Sequence, residues 1–150
     1  MAGIRISELT LDNWRAAADL DIEESQRGFV APNVRSIALS RFLPEWIPAA
    51  IFNGDTMVGF AFFGPRAPRT WHIMRYMIDK RYQGKGYGKA AMRELINVIK
   101  EKAPDCRVID LSYVPENEVA RKVYADVGFK ETGEVHDGEV VAALELDAES

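Results

Sequence analysis

An apolar run from Ile73 to Ile78 gives way to Gln83-Gly84-Lys85-Gly86-Tyr87-Gly88-Lys89. A patterned helix follows, with Ala90, Ala91, Leu95, Ile96, Val98 and Ile99 at its apolar positions. A strand apolar on much of both faces must be covered on both sides, so Trp71 to Asp79 belongs at the centre of a sheet. Glycines between a strand and a helix leave backbone N–H groups uncovered at the positive end of the helix. Such an end suits a pyrophosphate, and Lys85 and Lys89 add positive charge beside it. A turn that merely joins strand to helix has the same composition, and the loop by itself does not separate the two readings.

Two familiar phosphate motifs fail here. A P-loop needs four residues between its first glycine and the Gly-Lys pair, then a hydroxyl residue for magnesium. Gly84 and Gly88 enclose three, and Ala90 follows Lys89. A dinucleotide fingerprint needs G-x-G-x-x-G, whereas this chain reads G-x-G-x-G. The spacing present is Gln-x-x-Gly-x-Gly, carried by Gln83, Gly86 and Gly88.

The rest of the chain predicts an α/β domain around that junction. Ile4 to Leu9 alternates as a strand. Thr10 or Asp12 can cap a helix running to about Gln26, and Asn33 a second one ended by Pro44. Ile47 to Phe52 and Met57 to Phe63 flank Asn53-Gly54-Asp55, a hairpin signal, and Gly64 to Arg69 reads as a turn with two prolines. Beyond the central helix come a strand from Arg107 to Val114 and a helix from Pro115 to Val127 with Gly128 as its C-cap. A last hairpin turns about Asp137-Gly138. The order β-α-α-β-β-β-α-β-α-β-β implies one domain over residues 1–150, with a mixed, mostly antiparallel sheet of about seven strands flanked by about four helices.

Composition narrows the partners. The 150 residues carry 47% hydrophobic and 28% charged side chains, which describes an ordinary globular protein. No apolar run is long enough to span a bilayer, and the first ten residues lack a signal-peptide pattern. Cys106 is the single cysteine, so no intrachain disulfide forms. It has no activating neighbour in the sequence and reads as inert. These features point to a reducing cytoplasm. His72 and His136 do not share a metal-ligand spacing, and no metal is expected. A net charge of −4 speaks against nucleic acid. Lys80, Arg81, Lys85, Lys89 and Arg93 gather around the glycine loop, while Asp12, Asp19, Asp21, Glu23 and Glu24 gather near the start. Two solvated faces explain this distribution. So does a basic end for an anionic cofactor and an acidic end for a cationic substrate.

A second motif narrows the reading. After the strand to Val114, the residues Asn117, Ala120, Tyr124, Gly128 and Phe129 follow the pattern N-x-x-A-x-x-x-Y-x-x-x-G-F. Together with Gln83, Gly86 and Gly88, this resembles the GNAT superfamily of acyl-CoA-dependent N-acetyltransferases, with element order matching across essentially the whole chain. The Phe29-Val30-Ala31-Pro32 turn, Tyr76 to Asp79 with Arg81 to Gly86, and Asn117 to Tyr124 are most similar to bacterial spermidine/spermine acetyltransferase-like members.

The resemblance implies acetyl-CoA as cosubstrate, held along the central strand at Met77 and Ile78, by the loop Gln83, Gly84, Lys85, Gly86, Tyr87, Gly88 and Lys89, and by Asn117. A splay or bulge in the strand would free an N–H to polarise the thioester carbonyl. Tyr124 is the implied general acid, since a phenol with a pKa of about 10 keeps its proton at neutral pH. Spacing alone also fits a core aromatic, because Ala120, Val123, Tyr124 and Val127 share one helical stripe. The implied acceptor is a small primary amine such as spermidine or spermine, met by Glu23 and Glu24. Peptide acetylation and a silent CoA-binding module are the alternatives, and a homodimer is an expected assembly. The family's acidic position on the central strand falls at Met74, followed by Arg75, which either binds an anionic substrate group or is structural. Glu23, Glu24, Glu45 and His72 remain as candidate bases, with a water chain as the alternative. Trp46, Trp71 and Phe29 either line a substrate cleft or pack the core, and Arg121 and Lys122 either approach the cofactor's phosphates or are solvated.

Overall fold

The computed structural model describes residues 3–22 and 32–147. They form the order β1 (Ile4–Glu8), α1 (Trp14–Asp19), α2 (Asn33–Leu39), β2 (Ile47–Asn53), β3 (Thr56–Ala67), β4 (Thr70–Ile78), α3 (Tyr87–Lys102), β5 (Val108–Tyr113), α4 (Glu118–Val127), β6 (Lys130–His136) and β7 (Glu139–Glu145). The seven strands make one sheet in the order β1-β2-β3-β4-β5-β7-β6. Every neighbouring pair is antiparallel except β4 and β5, which α3 connects in parallel. Alternation along β3 sorts the apolar residues into two layers. Ala61 and Phe63 face the larger core, with Leu95, Ile99 and Tyr124 from α3 and α4. Phe60 and Phe62 face a smaller one, with Ala17 and Ile37 from α1 and α2.

The functional geometry begins where β4 leaves β5. The two pair only from Thr70 opposite Val108 to Ile73 opposite Leu111. On its other side β4 pairs with β3, but Phe62 faces Arg75 while Phe63 faces Ile73, so Met74 is an extra residue. A bulge of this kind bends its strand and increases its twist. Above Ile73 the two parallel strands therefore diverge, and a gap opens between the end of β4 and the start of α4.

Several boundaries differ from the sequence expectation. The proline-containing segment from Gly64 continues β3 as far as Ala67 instead of turning. β2 starts opposite Phe63, so Pro65 lies where that edge no longer needs an N–H, and the actual turn lies at Arg69, with φ 59°. α1 ends at Asp19 and not near Gln26. The chain beyond it is hitched to the end of β4, with Asp21 N–H donating to Asp79 Oδ2 (2.9 Å) and Lys80 N–H to the Asp21 carbonyl (2.7 Å). Neither Thr10 nor Asp12 is the N-cap of α1. Thr10 and Asn13 instead exchange backbone-to-side-chain hydrogen bonds in the turn before it. Asn33 does not cap α2. Pro32 holds the cap position, and the Asn33 side chain turns inward. α4 starts at Glu118, three residues later than the Pro115 boundary, and Asn117 Oδ1 accepts from Ala120 N–H as its cap.

Candidate active site

The gap between the diverging strands is a cleft of about 310 Å³. Its walls are Tyr76, Met77 and Ile78 at the end of β4, Tyr82 to Gly84 and Gly86 to Lys89 in the loop and α3, and Asn117, Val119, Ala120, Lys122, Val123 and Tyr124 along α4, with Ile22 at one side. Of the loop positions singled out in the sequence, Lys85 is exposed and does not line it.

The loop is held from below by Asp79. Its Oδ1 accepts from Arg81 N–H (3.0 Å) and Arg81 Nε (2.8 Å), and its Oδ2 from Asp21. Burial pushes this carboxyl up, but the hydrogen bonds from Arg81 and Asp21 outweigh it and hold the group below the usual carboxylate range. Gln83 Nε2 then donates to the Ile78 carbonyl (2.9 Å) and ties the loop back to β4.

Two glycines above this anchor have a backbone that only glycine adopts freely. Gly84 has φ +78°, and a Cβ there would stand in open space. Gly86, φ +87°, is the N-cap of α3 and supplies no side-chain cap. The first N–H groups of a 16-residue helix are thus left for a ligand. Gly88 lies where α3 passes α4, and a Cβ there would meet Val123 at 3.4 Å, an ordinary contact. Lys89 and Lys122 reach Asp126 at 3.0 and 3.5 Å beside the cleft. These donors and cations fit a pyrophosphate. Arg121 is engaged elsewhere, by Glu131 (3.1 Å) and Glu118 (3.6 Å).

Tyr124 closes the other end. Its ring packs against Tyr76, Tyr113 and Phe129, with centroids 6.3, 5.4 and 6.0 Å away. Its hydroxyl has no hydrogen-bond partner among the described residues, yet it is not among the sealed polar atoms, so it opens into the cleft. Burial raises this phenol well above its usual value, with nearby Arg75 opposing, and it keeps its proton across the neutral range.

Arg75 is 7% exposed, on the face of the sheet that carries α1 and α2. Its Nε donates to Asn33 Oδ1 (3.1 Å), and Asn33 Nδ2 donates to the Ala17 carbonyl (3.0 Å). NH1 is buried with no partner among the described residues. Burial lowers the guanidinium to about 10, so it stays charged at neutral pH. On the same face His72 Nδ1 lies 2.7 Å from Asp110 Oδ1, and Arg66 donates to Asp110 Oδ2 at 2.6 Å. Trp46 covers Gly64 and stands 6.1 Å from the His72 ring, whereas Trp71 packs on Phe63 in the larger core.

Glu23, Glu24 and Phe29 lie outside the described residues. Cys106 is buried and its thiol pushed up by burial, in keeping with an inert residue. The sequence reading passed over Asp79 and Asp110. Each is an aspartate inside or ending an otherwise apolar strand, and that contrast was the available signal.

The model of the Acetyltransferase (GNAT) family matches residues 11–129. A spermine/spermidine N(1)-acetyltransferase of Bacillus subtilis is 31% identical over 152 aligned residues, covering 95% of this chain and 99% of the relative. The N-alpha-acetyltransferase RimI of Mycobacterium tuberculosis is 30% identical over 84 residues, covering 54% of this chain and 50% of the relative. Among solved structures, a spermidine N-acetyltransferase from Vibrio cholerae in complex with CoA and spermine superimposes with a TM-score of 0.75 at 13% identity, covering 97% and 96% of the two chains.

Proposed function

The chain belongs to the acetyltransferase (GNAT) family, and we propose that it transfers an acetyl group from acetyl-CoA to a primary amine of a small molecule, a polyamine such as spermidine or spermine. The observation that carries the reading is the cleft at the divergence of β4 and β5. Uncapped N–H groups of α3 stand on one side of it and, on another, the Tyr124 hydroxyl, which has no partner among the described residues. In this reading the loop from Gln83 to Lys89 holds the pyrophosphate, and Met77, Ile78 and Asn117 hold the pantetheine arm. A backbone N–H released at the bulge polarises the thioester carbonyl, and Tyr124 gives a proton to the departing thiolate. The polyamine assignment draws support from the Bacillus relative, which is aligned over nearly its whole length.

Arg75 favours a second reading of the acceptor. A buried guanidinium with no carboxylate partner among the described residues repels a polycation and attracts an acid group. An amine that carries a carboxylate, as in an amino acid or a peptide, suits that charge better than a polyamine does. One experiment separates the readings: acetyl-CoA-dependent thiol release with spermidine, spermine, amino acids and a peptide, against a no-amine control. Turnover with the polyamines is expected. Turnover only with carboxylate-bearing amines replaces the polyamine assignment with the second reading. Binding of coenzyme A without turnover on any amine leaves a silent binding module.

A further inference from the structure

We infer that Tyr76 is a positioning residue, whose hydroxyl holds the first turn of α3 in place so that the cofactor's sulfur lies within reach of the Tyr124 proton; this rests on the acetyl-transfer reading. Tyr76 and Tyr124 both line the cleft, and their rings stand 6.3 Å apart, tilted by 56°. Their hydroxyls are used differently. Tyr76 donates to the Gly88 carbonyl at 2.5 Å, whereas the Tyr124 hydroxyl has no partner among the described residues. Burial raises the Tyr76 phenol well above its usual value, with Tyr124 adding to this and Met92 N–H opposing, so Tyr76 keeps the proton that it donates.

The Tyr76 bond rescues no orphaned group. At a helix N-terminus the unpaired groups are N–H groups, while the carbonyls already belong to the helical ladder. Gly88 is the second residue of α3, so its carbonyl faces Met92 N–H, which also reaches the Tyr76 oxygen. Nor does the bond supply the packing of α3 on the sheet, which Met92, Leu95 and Ile99 supply from the core. It fixes the one turn that presents its N–H groups to the cleft. Gln83 ties the loop before the helix to the end of β4, and Asn53 on β2 donates to the Tyr87 hydroxyl at 3.0 Å. Among the described residues, Tyr76 makes the side-chain hydrogen bond that ties the turn itself to β4.

The pyrophosphate and the sulfur of coenzyme A are joined by a chain of fixed covalent length. The place of the first turn of α3 therefore decides where the sulfur stands. When the C–S bond breaks its electron pair stays on sulfur, and the Tyr124 proton must reach that atom at hydrogen-bond range. A misplacement of about 1 Å can cost ~100-fold in rate. Tyr76→Phe removes the tether and keeps the ring, while Gly88 and Met92 keep each other as helical partners. The N–H groups move with their turn, so the pyrophosphate still binds.

The test is a double-mutant cycle on an amine that the wild type turns over. Tyr76→Phe should fold, lower kcat ~10-fold or more and leave the calorimetric affinity for coenzyme A unchanged. The double variant Tyr76→Phe, Tyr124→Phe should be no slower than Tyr124→Phe alone, because placement toward a missing donor no longer matters. A residue that only braces the helix costs the same factor in both backgrounds, so additive losses overturn the proposal. A folded Tyr76→Phe enzyme with wild-type kcat overturns it too. So does a Tyr76→Phe chain that does not fold, since the bond is then one of stability, and so does a variant whose loss is all in affinity for coenzyme A. Wild-type kcat in Tyr124→Phe removes the donor that Tyr76 is inferred to serve, and the inference with it. Absence of turnover on every amine in the wild type defeats the acetyl-transfer reading itself.

Discussion

Tyr124 serves two surroundings with one side chain. Its ring is part of an aromatic cluster with Tyr76, Tyr113 and Phe129, and its hydroxyl faces the cleft without a partner among the described residues. The two readings that spacing left open, core aromatic and proton donor, are therefore compatible. Replacement by phenylalanine separates them. Tyr124→Phe keeps the packing and removes no hydrogen bond to the described residues, so the melting temperature should hold. Removing a general acid typically costs ~100-fold or more in rate, so kcat should fall by about that factor with unchanged affinity for acetyl-CoA. Equal turnover in steady-state assays of both proteins would leave Tyr124 a packing residue alone. Arg75 is the opposite case. Its strand position was legible, but its isolation was not, because that depends on Asn33 and Ala17 arriving from two helices more than 35 residues earlier in the chain.

Among the elements, the N-terminus of α3 is where sequence spacing and geometry coincide. Gly86 sits at φ +87° with no cap of its own, and the loop around it is fixed from below by Asp79 and Gln83. A side chain at such a φ costs about 1–2 kcal/mol and would stand where the proposed pyrophosphate approaches the backbone. Gly86→Val should therefore fold with a modestly lower melting temperature while its affinity for coenzyme A collapses. Calorimetry giving wild-type affinity for a folded variant would refute the loop assignment. The divergence of β4 from β5 is less legible. Ile73, Met74 and Arg75 carry no turn residue to announce a bulge. It becomes visible only when β3 sets the register on one side and β5 on the other.

At the scale of the molecule, two buried aspartates tie the site to the fold. Asp79 joins the α1 end to the loop, and Asp110 joins β3, β4 and β5. Burial raises both carboxyls, but their partners more than compensate, so each lies below the usual carboxylate range. The sign follows from linkage. A carboxyl depressed in the folded state adds stability that is fully present above its unfolded value, about 3.9, and is lost as pH falls through its folded value. Melting temperature should stay level from neutral pH to about 5 and drop below about 4. Asp79→Asn should flatten that drop. An unchanged acid slope in this variant would show that the loss arises elsewhere. Asp126 and Glu131 are depressed too, but their exposed ion pairs are screened and contribute little.

Across the chain, the order of elements, the central strand and the glycine loop before α3 were determined by sequence alone. Each depends on local periodicity and on glycines whose backbone freedom is a property of the residue itself. The two motifs also selected most of the residues that line the cleft. Tertiary structure decided what depends on distant partners. Asp21 met Asp79 and the first helix ended early. Asn33 turned from a cap into a bridge between Ala17 and Arg75. His72 acquired Asp110 from a strand 38 residues on. Burial, hydrogen-bond satisfaction and strand register involve segments that local spacing does not relate, so they exist only once the sheet has closed around them.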